Sequence, residues 1–224
     1  GGRGGDSGAP APCWFCLATP DAEKHLVVSV ADDSYLALAK GGLVPEHLLI
    51  IPTQHVASTL IMPDDTWKEF DKYKETLRKC FAAQNKSFVA FERNTFTRGA
   101  KHTHIQVLPI PEELGPSVAG VVENEGHPLG IDFQRFPPGQ EWMANVATED
   151  EYFLFELPNS EILLHKVPQG GRFPLQFGRQ VFCAILNCPE KIDWKVCAPG
   201  QEKETEWAEN VKKMLRPYDW SLAE

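Results

Sequence analysis

The chain has 224 residues, 42% hydrophobic and 24% charged, enough for one large or two small domains of ordinary globular composition. No apolar stretch approaches the roughly 20 residues needed to span a bilayer. A net charge of −9, with 10 basic against 17 acidic side chains over 116–224, excludes nucleic-acid binding through bulk charge, so any RNA contact has to be local.

Residues 1–11 are rich in Gly and lack the apolar core of a secretory signal; they read as a flexible linker or tag, and the chain as the C-terminal piece of something longer. Leu26–Ala31 and Tyr35–Ala39, separated by Asp32-Asp33-Ser34, predict a β-hairpin. His47–Pro52 predicts a buried strand. Pro63-Asp64-Asp65 opens a helix whose apolar stripe is Trp67, Phe70, Tyr73, Leu77, Cys80 and Phe81. Ser87–Arg93 and His102–Pro109 predict two more strands around a polar loop. Together these give an α+β fold, an antiparallel sheet with one main helix.

Pro109, Pro111 and Pro116 mark a boundary, and 112–150 is rich in Gly and Pro and resists assignment. Glu151–Leu157 and Ile162–Val167 predict a second hairpin. A helix opened by Pro174 runs to about Asn187, and a last one runs from Glu202 to Arg216 before Pro217. The expected division is a domain at 12–115 and a smaller α+β domain at 116–224. The second hairpin-plus-helix pattern raises the expectation of a pseudo-dimer within one chain.

Chemistry concentrates in two places. Cys13 and Cys16 form a C-x-x-C pair among six cysteines, too few for a disulfide scaffold and suited to a reducing compartment. Two thiolates need two more ligands to close a zinc site, and His55 and His102 are available. A weak redox motif or an incidental pair is the alternative. The second place is His102-Thr103-His104-Ile105-Gln106. In an extended chain His102, His104 and Gln106 share a face, roughly 7 Å apart in succession. The two histidines are open to three readings: a satisfied structural pair, joint ligands of one metal, or divided roles. In the last, His102 binds metal and His104 is a nucleophile toward phosphorus, with Asn94, Gln106 and backbone N–H groups as anion-stabilising donors. Arg93, Arg98 and Lys101 flank the motif. Arg172 and Arg179 bracket a helix start, His165 reads as a hydrogen-bonded core histidine, and His127 has no assignment.

The C-x-x-C pair, the segment HLLIIPTQH and the strand H-x-H-x-Q, in that order, resemble the histidine-triad superfamily. The resemblance implies a structural zinc on Cys13, Cys16, His55 and His102, with His104 as nucleophile and Asn94 holding phosphate. It also places His47 near the nucleotide. Gln106 in the third position is similar to the galactose-1-phosphate uridylyltransferase branch. Gln can hydrogen-bond but cannot act as a general acid, which favours transfer or binding over fast hydrolysis.

CWFCLATPDAEKHLVVSVADDSYLALAKGGLVPEHLLIIPTQH resembles the first C-terminal domain of CwfJ-type proteins, and FELPNSEILLHKVPQGGRFPLQFGRQVFCAIL with WKVCAPGQEKETEWAENVKKMLRPYDW resembles the second. The resemblance spans about residues 12–222. It implies a spliceosome-associated, nuclear setting, with cytoplasm as the alternative. The implied partners are RNA, as intron lariat or branched RNA, and splicing or debranching proteins. The expected function is a zinc-stabilised RNA-processing factor of late splicing, lariat-complex disassembly or debranching. The alternatives are a nucleotidyl transferase or hydrolase using a His104 intermediate, and a protein scaffold with a vestigial pocket.

Overall fold

The computed structural model describes residues 13–99 and 101–222; the linker expected over 1–11 lies outside them. In chain order the elements are β1 (Val27–Val30), β2 (Ser34–Leu38), β3 (Leu48–Pro52), α1 (Asp64–Ala82), β4 (Lys86–Asn94) and β5 (Ile105–Pro111). There follow α2 (Val118–Gly126), β6 (Gln134–Phe136), β7 (Tyr152–Glu156), β8 (Ile162–Lys166), α3 (Phe177–Leu186), the single turn α4 (Trp194–Cys197) and α5 (Gln201–Leu215). The fold is α+β. Its eight strands form one antiparallel sheet in the order β1-β2-β3-β5-β4-β7-β8-β6.

The sheet runs without a break from one half of the chain to the other, because β7 pairs with β4 from Ala90–Glu156 to Asn94–Tyr152. Burial on both faces explains the near-continuous apolar strands. On one face, α1 and α5 cover Leu36, Leu48, Ile50, Phe88, Ala90 and Val107. On the other, α2 and α3 cover Val89, Leu108, Ile110, Phe153, Phe155 and Leu163. The second cover leaves a gap over β2, β3 and the start of β5, where Tyr35, Ala37, Leu49 and Ile51 face the N-terminal segment instead.

α1 begins with Asp64 and Asp65 against its positive end and buries the expected stripe, with Trp67 only half-buried. Glu69 joins that buried face. Its carboxylate accepts from the Asp33 N–H at 3.0 Å and from the Ser34 hydroxyl, closing the β1–β2 turn. Across the sheet Glu156 is buried too, bound by Lys74 Nζ at 2.7 Å and Arg78 Nη2 at 3.0 Å, so α1 is clamped to β7.

Two elements depart from the sequence expectation. The strand expected from His102 begins at Ile105, because β3 and β5 pair only as far as Ile50–Ile105. Residues 102–104 are held against the 52–56 loop instead: Thr103 N–H donates to the Val56 carbonyl at 2.7 Å, and His102 Nε2 donates to the Pro52 carbonyl at 2.8 Å. The helix expected from Pro174 begins at Phe177, whose N–H bonds the Pro174 carbonyl at 3.2 Å.

Candidate functional site

The departure of residues 102–104 from the ladder separates the two histidines. His102 turns to the C-x-x-C loop, whose own geometry is local. Thr19 Oγ1 donates to the carbonyls of Cys13 and Cys16 at 2.9 and 2.6 Å, and Tyr35 donates its hydroxyl to the Phe15 carbonyl at 2.6 Å, tying the loop down on β2. The result is a corner in which Cys13, Cys16, His55 and His102 each place a ligand atom within 4.8 Å of the others, a group able to hold a metal ion. Cys13 Sγ and Cys16 Sγ lie 3.4 and 3.5 Å from His102 Nδ1, and Cys16 Sγ lies 3.4 Å from His55 Nδ1. The Nε2 contact to the Pro52 carbonyl fixes the His102 ring with Nδ1 facing the sulfurs, an outer-shell bond typical of ligating histidines. Burial and the adjacent Cys13 sulfur raise the Cys16 thiol pKa, while burial lowers that of His102.

His104 faces the other way, into a cavity of about 680 Å³ over the gap in the sheet's second cover. Its ring lies 4.7 Å from that of Phe15. Burial pushes its pKa down to about 4, against a long Nδ1 contact to the His102 carbonyl at 3.4 Å and with help from the charge of Arg93. The ring is therefore a neutral base at physiological pH.

Strand register places Gln106. It pairs with Leu49 on β3 and Phe91 on β4, and Leu49 pairs with Ala37 on β2, so Gln106 is the polar side chain in an otherwise apolar row over β2, β3, β5 and β4. His47 orients it. The buried His47 Nδ1 accepts the Leu43 N–H at 3.2 Å, which leaves the proton on Nε2 to be donated to Gln106 Oε1 at 3.0 Å. With its oxygen engaged, Gln106 keeps its NH₂ group for the cavity. Burial pushes His47 down to about 4, opposed by the Gln106 bond and reinforced by the charge of Arg179.

Of the residues expected from sequence, His47, His104 and Gln106 line this cavity, and the four candidate ligands Cys13, Cys16, His55 and His102 form the corner beside it. Asn94 does not join them. It is buried among residues facing α1's side of the sheet, and its amide donates to the Asp150 carbonyl at 3.3 Å. Alternation puts its neighbour Arg93 on the cavity side, where it lines the pocket and bonds Thr95 Oγ1 at 2.7 Å. His165 is a satisfied core histidine, with Nδ1 2.8 Å from the Asp132 carbonyl.

Several contributors escaped the sequence reading. Glu92, fully buried behind the histidines, accepts from Thr59 N–H at 2.9 Å, from Thr59 Oγ1 at 2.7 Å and from the hydroxyls of Thr103 and Tyr152. Through Thr103, which lies between them in the chain, this carboxylate holds the segment that carries His102 and His104. The only signal available was its period-2 position beside Arg93. Lys40, Leu175, Gln176 and Trp194 also line the cavity, the last three from the second half. Gly41, at φ +61°, lets the β2–β3 loop approach the Trp194 carbonyl, where a Cβ would come within 2.1 Å.

Fold and site together define an α+β protein with a largely apolar small-ligand cavity beside a candidate metal centre. Two family models match the chain: one described as protein similar to CwfJ C-terminal, over residues 6–121, and one as protein similar to CwfJ C-terminus 2, over residues 132–221. The chain belongs to this family. It is 38% identical over 215 residues to human CWF19-like protein 1, covering 94% of this chain and 39% of that protein. It is 37% identical over 216 residues to the rice (Oryza sativa subsp. japonica) zinc finger CCCH domain-containing protein 59, covering 92% and 35%. The chain thus spans under half the length of these curated relatives. Among solved structures, yeast Ap4A phosphorylase Apa2 in complex with AMP aligns at 17% identity and a TM-score of 0.42, over 71% of this chain and 65% of that one. Among the described residues no helix is long and apolar enough to cross a membrane.

Proposed function

We propose that this chain is a nucleotide- or RNA-end-binding module, closed at one corner by zinc, that serves in the splicing-associated setting of its family. The observation that carries the reading is the relay from Leu43 N–H through His47 to Gln106. It leaves an amide donor beside a neutral imidazole in a cavity of about 680 Å³, within the usual range of small-ligand sites. Phe15, Trp14 and Trp194 offer aromatic surface for a base, and Arg93 offers charge for a phosphate.

Zinc is supported by the donor set. Two thiolates and two imidazoles suit a tetrahedral ion of this softness, and ordinary Zn–S and Zn–N bond lengths imply a sulfur-to-nitrogen edge of about 3.6 Å. The sulfur-to-nitrogen separations of 3.4–3.5 Å are close to that edge. Cys13, Cys16, His55 and His102 would hold the ion. A bound divalent cation favours both thiolates and fastens the N-terminal loop, with Phe15 above the cavity, to the 102–104 segment.

By family, the setting is nuclear, the ligand an RNA end or branch such as that of an intron lariat, and the step late in splicing, at lariat-complex disassembly or debranching. The continuous pairing of β7 onto β4 supports reading residues 116–224 as a built-in partner to 12–115, a pseudo-dimer in one chain. A second reading is favoured by the neutral His104. Its ring nitrogen attacks an α-phosphorus, a phosphoramidate forms as the P–O bond to the leaving group breaks, and an acceptor later takes the nucleotidyl group. Gln106 holds the phosphoryl oxygens and supplies no proton to the leaving group.

The test is calorimetric titration of the zinc-replete chain with nucleotides and with a branched RNA. Binding weakened at least tenfold by His104→Ala and by Gln106→Leu, and unchanged in Cys80→Ala, is expected. Absence of binding to any of these ligands refutes the module and leaves a protein scaffold. A nucleotidyl adduct in intact mass, lost in His104→Ala, selects the second reading.

A further inference from the structure

Arg179 stands on the first turn of α3 and lines the cavity from the second half of the chain. Its side chain is 8% exposed. Its Nε donates to the Lys191 carbonyl at 2.9 Å, yet Nη2 is buried with no hydrogen-bond partner. Among the described residues no carboxylate forms an ion pair with it. A buried guanidinium charge without an anion is costly, and proteins rarely keep one without a use. The acidic balance of residues 116–224 makes an unpaired arginine there more anomalous.

Its surroundings indicate the missing anion. Both arginines line the cavity: Arg179 lies one helical turn before Phe182, whose ring is 5.5 Å from that of His47, and Arg93 lies two residues beyond Phe91, the β4 partner of Gln106. Lys40 also lines the cavity but is paired with Glu23 and Glu204 at 2.8 and 2.9 Å, so two cationic stations without a carboxylate partner remain among the described residues, Arg93 on β4 and Arg179 near the His47–Gln106 pair. With Nε committed to Lys191 and Nη2 closed off from solvent, the guanidinium is left with Nη1 as its edge toward a tetrahedral oxyanion in the cavity.

We infer that Arg179 is the anchor for a second phosphoryl group, distinct from the one that faces His104, so that the pocket selects ligands carrying two or more linked phosphates over monophosphates. The inference rests on the nucleotide-site reading and deepens it. It also gives the second half a role in recognition, since the first half supplies one station only.

The experiment compares a nucleoside monophosphate with the corresponding diphosphate by calorimetry, in the wild-type chain and in Arg179→Gln. Wild type is expected to prefer the diphosphate by about tenfold or more, the worth of one charge-assisted contact. In Arg179→Gln the preference is expected to fall to about twofold or less, with monophosphate affinity little changed. If wild type binds neither nucleotide, this inference falls together with the nucleotide reading. If it binds both equally, or if the Gln variant keeps the preference, this inference alone falls. A binding measurement on the wild-type chain, with a variant used only for assignment, guards against a misfolded substitution. The arginine side-chain ¹⁵Nε resonance that is missing in Arg179→Lys is expected to shift when inorganic pyrophosphate is added to wild type, and an unmoved resonance overturns the proposal.

Discussion

Replacing His47 with Leu removes the residue that links backbone to pocket while keeping a side chain of similar bulk against Phe182. In the folded chain its imidazole titrates near 4, against 6.5 when free. A histidine with a lowered folded pKa gives stability that is complete above the unfolded value and is lost as protons enter the unfolded chain below it. The gap amounts to on the order of 3 kcal/mol, about 2 of it already lost by pH 5. At pH 7 the Leu variant loses the acceptor for the buried Leu43 N–H, at a cost of about 1–3 kcal/mol. Urea unfolding of both chains at pH 7, 6 and 5 reads these effects as a difference, in which any effect of acid on the shared Cys and His corner cancels. Wild type should lead by about 1–3 kcal/mol at pH 7 and by about 2 kcal/mol less at pH 5. A lead that is the same at both pH values refutes the neutral, relay-forming His47, and with it the assigned orientation of Gln106.

Chelation or Cys13→Ser is expected to lower the thermal midpoint and remove about one zinc per chain by elemental analysis, whereas Cys80→Ser keeps it; a metal content unaffected by Cys13→Ser counts against the corner. Glu156→Gln leaves Lys74 and Arg78 facing an uncharged partner between α1 and β7, and should cost about 2–4 kcal/mol in urea unfolding. The carboxyl pKa of Glu156 is lowered because Lys74 and Arg78 outweigh the opposing effect of burial, so its contribution is present above the usual carboxylate range and lost as pH falls through the lowered value. Gly178→Ala puts a Cβ 2.3–2.6 Å from the Phe91 ring, next to Gln106 in the sheet row, and should cost at least about 1–3 kcal/mol by denaturation and weaken ligand binding; an unperturbed variant would show that α3 can move.

Short-range pattern sufficed for much of this molecule. Short apolar runs bounded by turn residues mark both hairpins, whose strands are buried on both faces, and period-3.6 stripes mark α1 and α5, each of which buries one face. The four candidate ligands and the histidine pair stand out because Cys and His are rare in such settings. Residues 112–150 were not legible: α2, β6 and the turns between them are short, and Gly and Pro obscure their period. The sequence pattern starts the strand at His102, three residues before the ladder does, because an extended segment looks the same whether or not a partner strand is there to pair with it.

Chain order and residue type were thus enough for an antiparallel α+β fold with two chemical centres, since local periodicity and donor identity are properties of the residues themselves. Which side chains meet was decided only in three dimensions. A parity of one residue on β4 sends Arg93 to the cavity and Asn94 away from it. The end of the β3–β5 ladder at Ile105 sends His102 to the sulfurs and His104 to the pocket. The pairing of β7 with β4 continues the sheet into the second half, whose α3 sets Arg179 at the cavity wall. These outcomes depend on register and on contacts between residues tens to over a hundred positions apart, which local sequence does not encode.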